Sequence, residues 1–169
     1  MGIFAALVLA SCSPEEQEPI PFESIASGAT PASGEIQAGG ALAYQIFADS
    51  TAWSAFWRRS FATPVPEVRF EDEFVLRVEW GTQPTGGYGV EIRTLKLDGK
   101  SGTLYVGLGL KEPGPDDMVT QALTTPYAVV RVPRAGRDRD LPTLQFSRLD
   151  GTERRELQAR RLEPTAAGP

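Results

Sequence analysis

The chain has 169 residues, 41% hydrophobic and 23% charged, enough for one domain with an ordinary core and flanking segments but crowded for two. It contains no histidine and its single cysteine is Cys12, which excludes a Ser-His-Asp triad, a Cys-His pair, a histidine-ligated zinc site and an intrachain disulfide. The formal charge is -5 and the arginines are scattered rather than gathered in a basic stripe among aromatics, which argues against nucleic acid as a partner.

At the N-terminus, Ile3 to Ala10 is an apolar run that ends in Leu9-Ala10-Ser11-Cys12. It is too short to span a bilayer, which needs about 20 apolar residues. The run with its cysteine resembles a bacterial lipobox, in which small residues fit the signal peptidase and the cysteine sulfur carries the lipid. Residues 1–12 are therefore expected to be a lipoprotein signal segment, with Cys12 as the lipidated residue that anchors the protein in the bacterial cell envelope. Ser13 rather than Asp after the cysteine favours the outer membrane in a bacterium that has two. No Lys or Arg precedes Cys12, so the true start is expected further upstream.

Residues 13–40 change to Pro, Glu, Ser, Ala, Thr and Gly, with only isolated Ile20, Phe22, Ile25 and Ile36. So little apolar surface offsets little chain entropy, and the segment is expected to be a disordered tether. The β-rich domain then spans 41–163, and 164–169 is a disordered tail.

Within the domain the period is two, with one exception. Trp53, Phe56 and Trp57 fall at i, i+3 and i+4, with Asp49 or Ser50 available as cap, and predict one short helix whose aromatic face packs on a sheet. Pro64 and Pro66 end it and open an extended connection. Alternation predicts strands through Leu42, Tyr44 and Ile46, then Phe74, Leu76, Val78 and Trp80, with Arg77 and Glu79 on a solvated face. Tyr88, Val90 and Ile92 share one face while Leu95 and Leu97 have the opposite parity, which places a bulge or strong twist near Thr94. Asp98-Gly99 offers a hairpin turn, and Leu104, Val106, Leu108 and Leu110 form the returning strand. Another strand runs through Ala128, Val130 and Val132, and Leu144 with Phe146 suggests the last one. Glu153 to Leu162 reads equally as a charged strand or a short helix. The fold class is mainly β with one short helix, as a curled antiparallel sheet or a two-layer β-sandwich-like domain.

The most specific stretch is the turn Pro84-Thr85-Gly86-Gly87-Tyr88, which a glycine pair can fix in one shape. Phe74 to Trp80, followed by Gly81-Thr82-Gln83-Pro84-Thr85-Gly86-Gly87-Tyr88-Gly89-Val90-Glu91-Ile92, then Val119-Thr120-Gln121 and Thr125-Pro126-Tyr127 leading into Ala128 to Pro133, is similar to the PrcB C-terminal domain family. That family is named after a subunit of a bacterial cell-surface protease complex. The resemblance covers roughly Ala41 to Phe146. It departs where Arg69 precedes Phe70, a place where the family often shows Asp-Phe.

The resemblance implies an accessory binding domain with no established catalytic residues, and no cofactor or metal is expected from the residues. Its protein partner is expected to be a secreted or surface protease, with Thr85, Gly86, Gly87, Tyr88, Thr125, Pro126 and Tyr127 forming the contact surface and both tyrosines as anchors. The same loop is also similar to the Pro-Thr-Thr-Gly-Tyr loop of chagasin-like inhibitors of cysteine proteases. Two other readings are a passive envelope lipoprotein and a metal or small-molecule pocket using Glu71, Asp72 and Glu73 or Asp116 and Asp117. Neither acidic cluster has the alternate spacing of a calcium loop.

Overall fold

The computed structural model describes residues 17–31, 41–134, 140–151 and 153–163. The lipobox with Cys12, part of the expected tether and the C-terminal tail lie outside the described residues.

Helix α1 (Ser50–Ser60) forms where the aromatic spacing predicts it. Asp49 is the N-cap, and its Oδ1 accepts the Ala52 N–H at 2.8 Å. Arg58 and Arg59 sit in the last turn, where they complement the helix dipole. The helix ends at Phe61, whose N–H still donates to the Trp57 carbonyl while its own backbone is already extended.

The strands are β1 (Gln17–Pro19), β2 (Glu23–Pro31), β3 (Leu42–Phe47), β4 (Glu73–Trp80), β5 (Gly89–Asp98), β6 (Thr103–Lys111), β7 (Thr124–Pro133), β8 (Thr143–Asp150), β9 (Glu153–Leu157) and β10 (Ala159–Arg161). They form two five-stranded sheets, ordered β1-β5-β6-β8-β9 and β10-β3-β4-β7-β2, so the two-layer alternative holds. The first core lies between the sheets, where Phe74, Leu76 and Val78 of β4 meet Ile92, Leu95, Val106 and Leu108 of the facing sheet. The second lies on the outer face of the β4 sheet, where Phe47, Val75 and Val129 pack under Trp53, Phe56 and Trp57 of the helix. The bulge between Ile92 and Thr94 and the hairpin after Asp98 are both present.

Several expectations are corrected. The sheets are mixed, because β8 runs parallel to β6 and β10 parallel to β3. After β6 the chain crosses to the other sheet for β7 and then returns, and such a crossover permits a parallel neighbour where a short turn does not. Leu144 and Phe146 belong to β8, which is followed by β9 and β10, so the charged segment is strand. The tether reading fails for residues 17–31. There β1 pairs with Lys96 to Asp98, and β2 pairs with β7 along its length. The isolated apolar residues of that stretch are its docking points, Ile20 and Phe22 against the inter-sheet core and Ile25 with Ala26 against the helix-side core. A bulge between Ser24 and Ala26 interrupts the β2 register beside those last two. The solvated face expected for Arg77 and Glu79 is also corrected, since their side chains are only 16% and 18% exposed.

Candidate functional site

Strand β4 parts from β7 before Pro126, while Trp80 still pairs with Leu42 of β3. The β4–β7 ladder runs from Glu73 opposite Pro133 to Glu79 opposite Tyr127, and the next residue of β7 is a proline with no N–H to give. The chain leaves the sheet there through Gly81, which has a positive φ of 35°. It rejoins β7 at an isolated bridge nearer that strand's start, where Gln83 and Thr124 exchange backbone hydrogen bonds of 2.7 and 3.1 Å. The Gln83 side chain, itself buried, donates back to the Trp80 carbonyl at 2.8 Å. The Thr-Gly-Gly-Tyr and Thr-Pro-Tyr segments are thus two halves of one corner.

The glycine turn is locked onto the segment before β7. The Gly86 N–H donates to the Thr120 carbonyl at 2.9 Å, and the Thr124 hydroxyl donates to the Thr85 carbonyl at 2.8 Å. A Cβ on Gly86 would lie 2.5 Å from Thr120 Oγ1, so only glycine fits without a shift. Gly87 has φ of 85°, and a Cβ there would also meet Val119 Cγ1 at 2.7 Å. Behind it, Asp117 closes a tight turn by accepting the Gly114 N–H on Oδ2 at 3.0 Å and donating its own N–H to the Gly114 carbonyl at 3.2 Å. This braced loop holds Met118 fully in solvent.

The expected contact residues are brought together in sequence halves but not as one surface. Tyr88 is half-buried, edge-on to Trp80 at 5.6 Å, on the side of the inter-sheet core. Tyr127 is half-buried on the opposite face, 5.6 Å from the Phe61 ring and part of the helix-side core. Burial pushes the Tyr127 phenol above its ordinary value, an effect that Arg77 partly offsets. Pro126 and Gly86 are buried and offer no contact area. Thr85 and Thr125 are half-buried and Gly87 is exposed. Reading the sequence missed Met118 and the bracing by Pro113, Thr120 and Thr124, although Val119-Thr120-Gln121 belongs to the same resemblance.

Arg77 lies over the Phe56 ring at 4.9 Å and pairs with Glu79 two residues along its strand. Burial lowers its guanidinium to about 10. The acidic clusters serve local structure: Glu73 accepts the Arg69 N–H, and Asp117 closes its turn. Among the described residues no group of three or more His, Cys, Asp or Glu could hold a metal ion, and no helix is long and apolar enough to cross a membrane.

In comparison with known families, residues 74–133 match the family model described as PrcB C-terminal. Searches of curated proteins and of solved structures give no match. The matched segment runs from the first core residue of β4 to the end of β7 and contains the whole glycine corner. Residues 74–133, from Phe74 to Pro133, are thus similar to the PrcB C-terminal family.

Proposed function

We propose that this protein is a non-catalytic accessory lipoprotein of the bacterial cell envelope that binds a protein partner, an extracellular protease, at the rim of the glycine corner. The observation that carries this reading is the locking of the turn. Hydrogen bonds to Thr120 and Thr124 and the close fit at Gly86 and Gly87 leave the loop one shape, so little ordering is needed when a partner docks. The rim that remains for contact is Thr85, Gly87 and Tyr88 with Met118 beside them. Tyr127 and Pro126 drop out of the contact set, because one faces the helix layer and the other is buried. The loop folds back onto residues 120–124, which does not favour the projecting wedge of an inhibitor.

The test is site-specific photo-crosslinking in the native envelope, with the crosslinker at position 118 in the full, anchored chain. The expected result is one dominant adduct containing a protease. With the protease purified, Met118→Asp is expected to weaken binding by about tenfold, the loss typical of a contact at an interface centre. Met118 is fully exposed, so the absence of a protease adduct, or an affinity indifferent to Met118→Asp, would overturn the assignment.

A further inference from the structure

Helix α1 covers only part of the outer face of its sheet. Its aromatic side chains lie over Phe47, Val75 and Val129. Further along the same face the register sets Gln45 beside Arg77, and then Arg160, Ala43, Glu79 and Tyr127 in one row across four strands. Ala43 is too small to fill that row. A cleft of about 490 Å³ lies above it, between the last turn of the helix and strand β10.

The cleft is lined by four arginines, Arg59, Arg77, Arg160 and Arg161, against two glutamates, in a chain whose formal charge is -5. Arg77 pairs with Glu79, and Arg161 with Glu163 at 3.5 Å. The guanidinium groups of Arg59 and Arg160 have no hydrogen bond or ion pair among the described residues. On the floor, the Arg77 Nε is buried and meets no acceptor. Guanidinium groups stay charged and present planar donor forks that match carboxylates. Strand β10 is outermost in its sheet, so an extended segment can lie beside it with alternate side chains reaching the arginines.

We propose that this cleft binds the carboxylate side chains of an acidic peptide segment of a partner protein, with Arg59 and Arg160 gripping them at the rim. Two uncommitted arginines flanked by Glu79 and Glu163 suit separate single carboxylates along a chain better than one compact polyanion. The site is distinct from the glycine corner and does not depend on what docks there.

The test measures binding of a fluorescent tetraglutamate peptide to the full chain, with tetraglutamine, citrate and inorganic phosphate as competitors. Tetraglutamate is expected to bind and to weaken steeply with added salt, and the other three are expected not to displace it at equal concentration. The Arg59→Gln, Arg160→Gln double variant changes only exposed side chains and is expected to lose about tenfold or more in affinity, as removal of charge-assisted hydrogen bonds requires. Arg155→Gln, on the far sheet, is expected to change nothing. Binding that survives the double variant, or that Arg155→Gln reduces equally, overturns the site. Displacement by citrate or phosphate at equal concentration overturns the peptide assignment.

Discussion

Gly87 shows most directly how one residue fixes the corner. Its φ of 85° lies in the left-handed region, which costs other residues about 1–2 kcal/mol, and a Cβ would also crowd Val119 and Pro113. Gly87→Ala is therefore expected to destabilise the fold by about 1–2 kcal/mol or more in chemical denaturation, whereas Pro84→Ala, at an exposed position, is expected to stay within about 0.5 kcal/mol. A Gly87→Ala variant as stable as the parent would mean that the turn can relax. Asp98 acts at the other end of the sandwich. The Ser101 hydroxyl at 2.6 Å and the Lys100 N–H at 2.8 Å hold its carboxyl below the ordinary 3.8. A depressed folded value means that Asp98 stabilises fully above its unfolded value and loses that contribution as pH falls through the folded one. Acid titration of the urea midpoint is thus expected to drop below about pH 4, the usual unfolded range. In Asp98→Asn that part of the drop should be absent, with a lower plateau at neutral pH.

At the scale of elements, the sequence showed most where side chains carry the structure. Trp53, Phe56 and Trp57 announced the helix because only a helix gathers i, i+3 and i+4 onto one face, and Trp53 is 1% exposed in the core it makes. Trp53→Ala is expected to destabilise by about 3–5 kcal/mol. The bulge at Thr94 was legible because a change of parity in a buried strand has few other causes. Strand β2 was not legible, because six of its nine residues are Ser, Ala, Gly or Thr and its membership comes mainly from backbone pairing with β7, which composition does not reveal. Strands β9 and β10 are hidden the same way under charge, and the parallel partner of β6 comes from a crossover that no local pattern records. At the candidate site the glycines and their link to Thr125-Pro126-Tyr127 could be read, but not which face each tyrosine takes, since that follows from where β4 leaves the sheet. The hidden strand has a measurable consequence. A chain begun at residue 41, the boundary that composition suggests, leaves β7 with a bare edge and strips Ile25 and Ala26 from the helix-side core. It is expected to be less soluble and to melt lower than a chain begun at residue 17. Equal yield and melting temperature would show that β1 and β2 are dispensable.

At the scale of the whole molecule, the two cores share one sheet. Phe74, Leu76 and Val78 of β4 face the sandwich interior while Val75 faces the helix, so neither core can open without stripping the same strand. Folding of residues 17–31 into these sheets also changes the geometry of the proposed anchor. If Cys12 carries the lipid, only the steps from Cys12 to Gln17 separate it from β1, and five fully extended residues span at most about 18 Å. The long stalk that the composition suggested thus becomes a short leash. Gln17 pairs with Asp98 at the mouth of the β5–β6 hairpin, so that hairpin, with Lys100 in its turn, is the end held nearest the headgroups. Neutron reflectometry of the lipidated full chain on a supported bilayer is expected to show protein density beginning within about 18 Å of the headgroup layer, the reach of that leash. Inserting about 15 Gly/Ser residues after Ser13 should move the density outward, because a flexible linker of that length adds roughly 20 Å of mean reach. A domain that already stands well beyond the leash in the parent chain would mean that β1 detaches at the membrane or that the anchor lies elsewhere. Density that stays put after the insertion would mean that the domain is held to the surface by contacts of its own, with the lysine-bearing hairpin as the first segment to mutate.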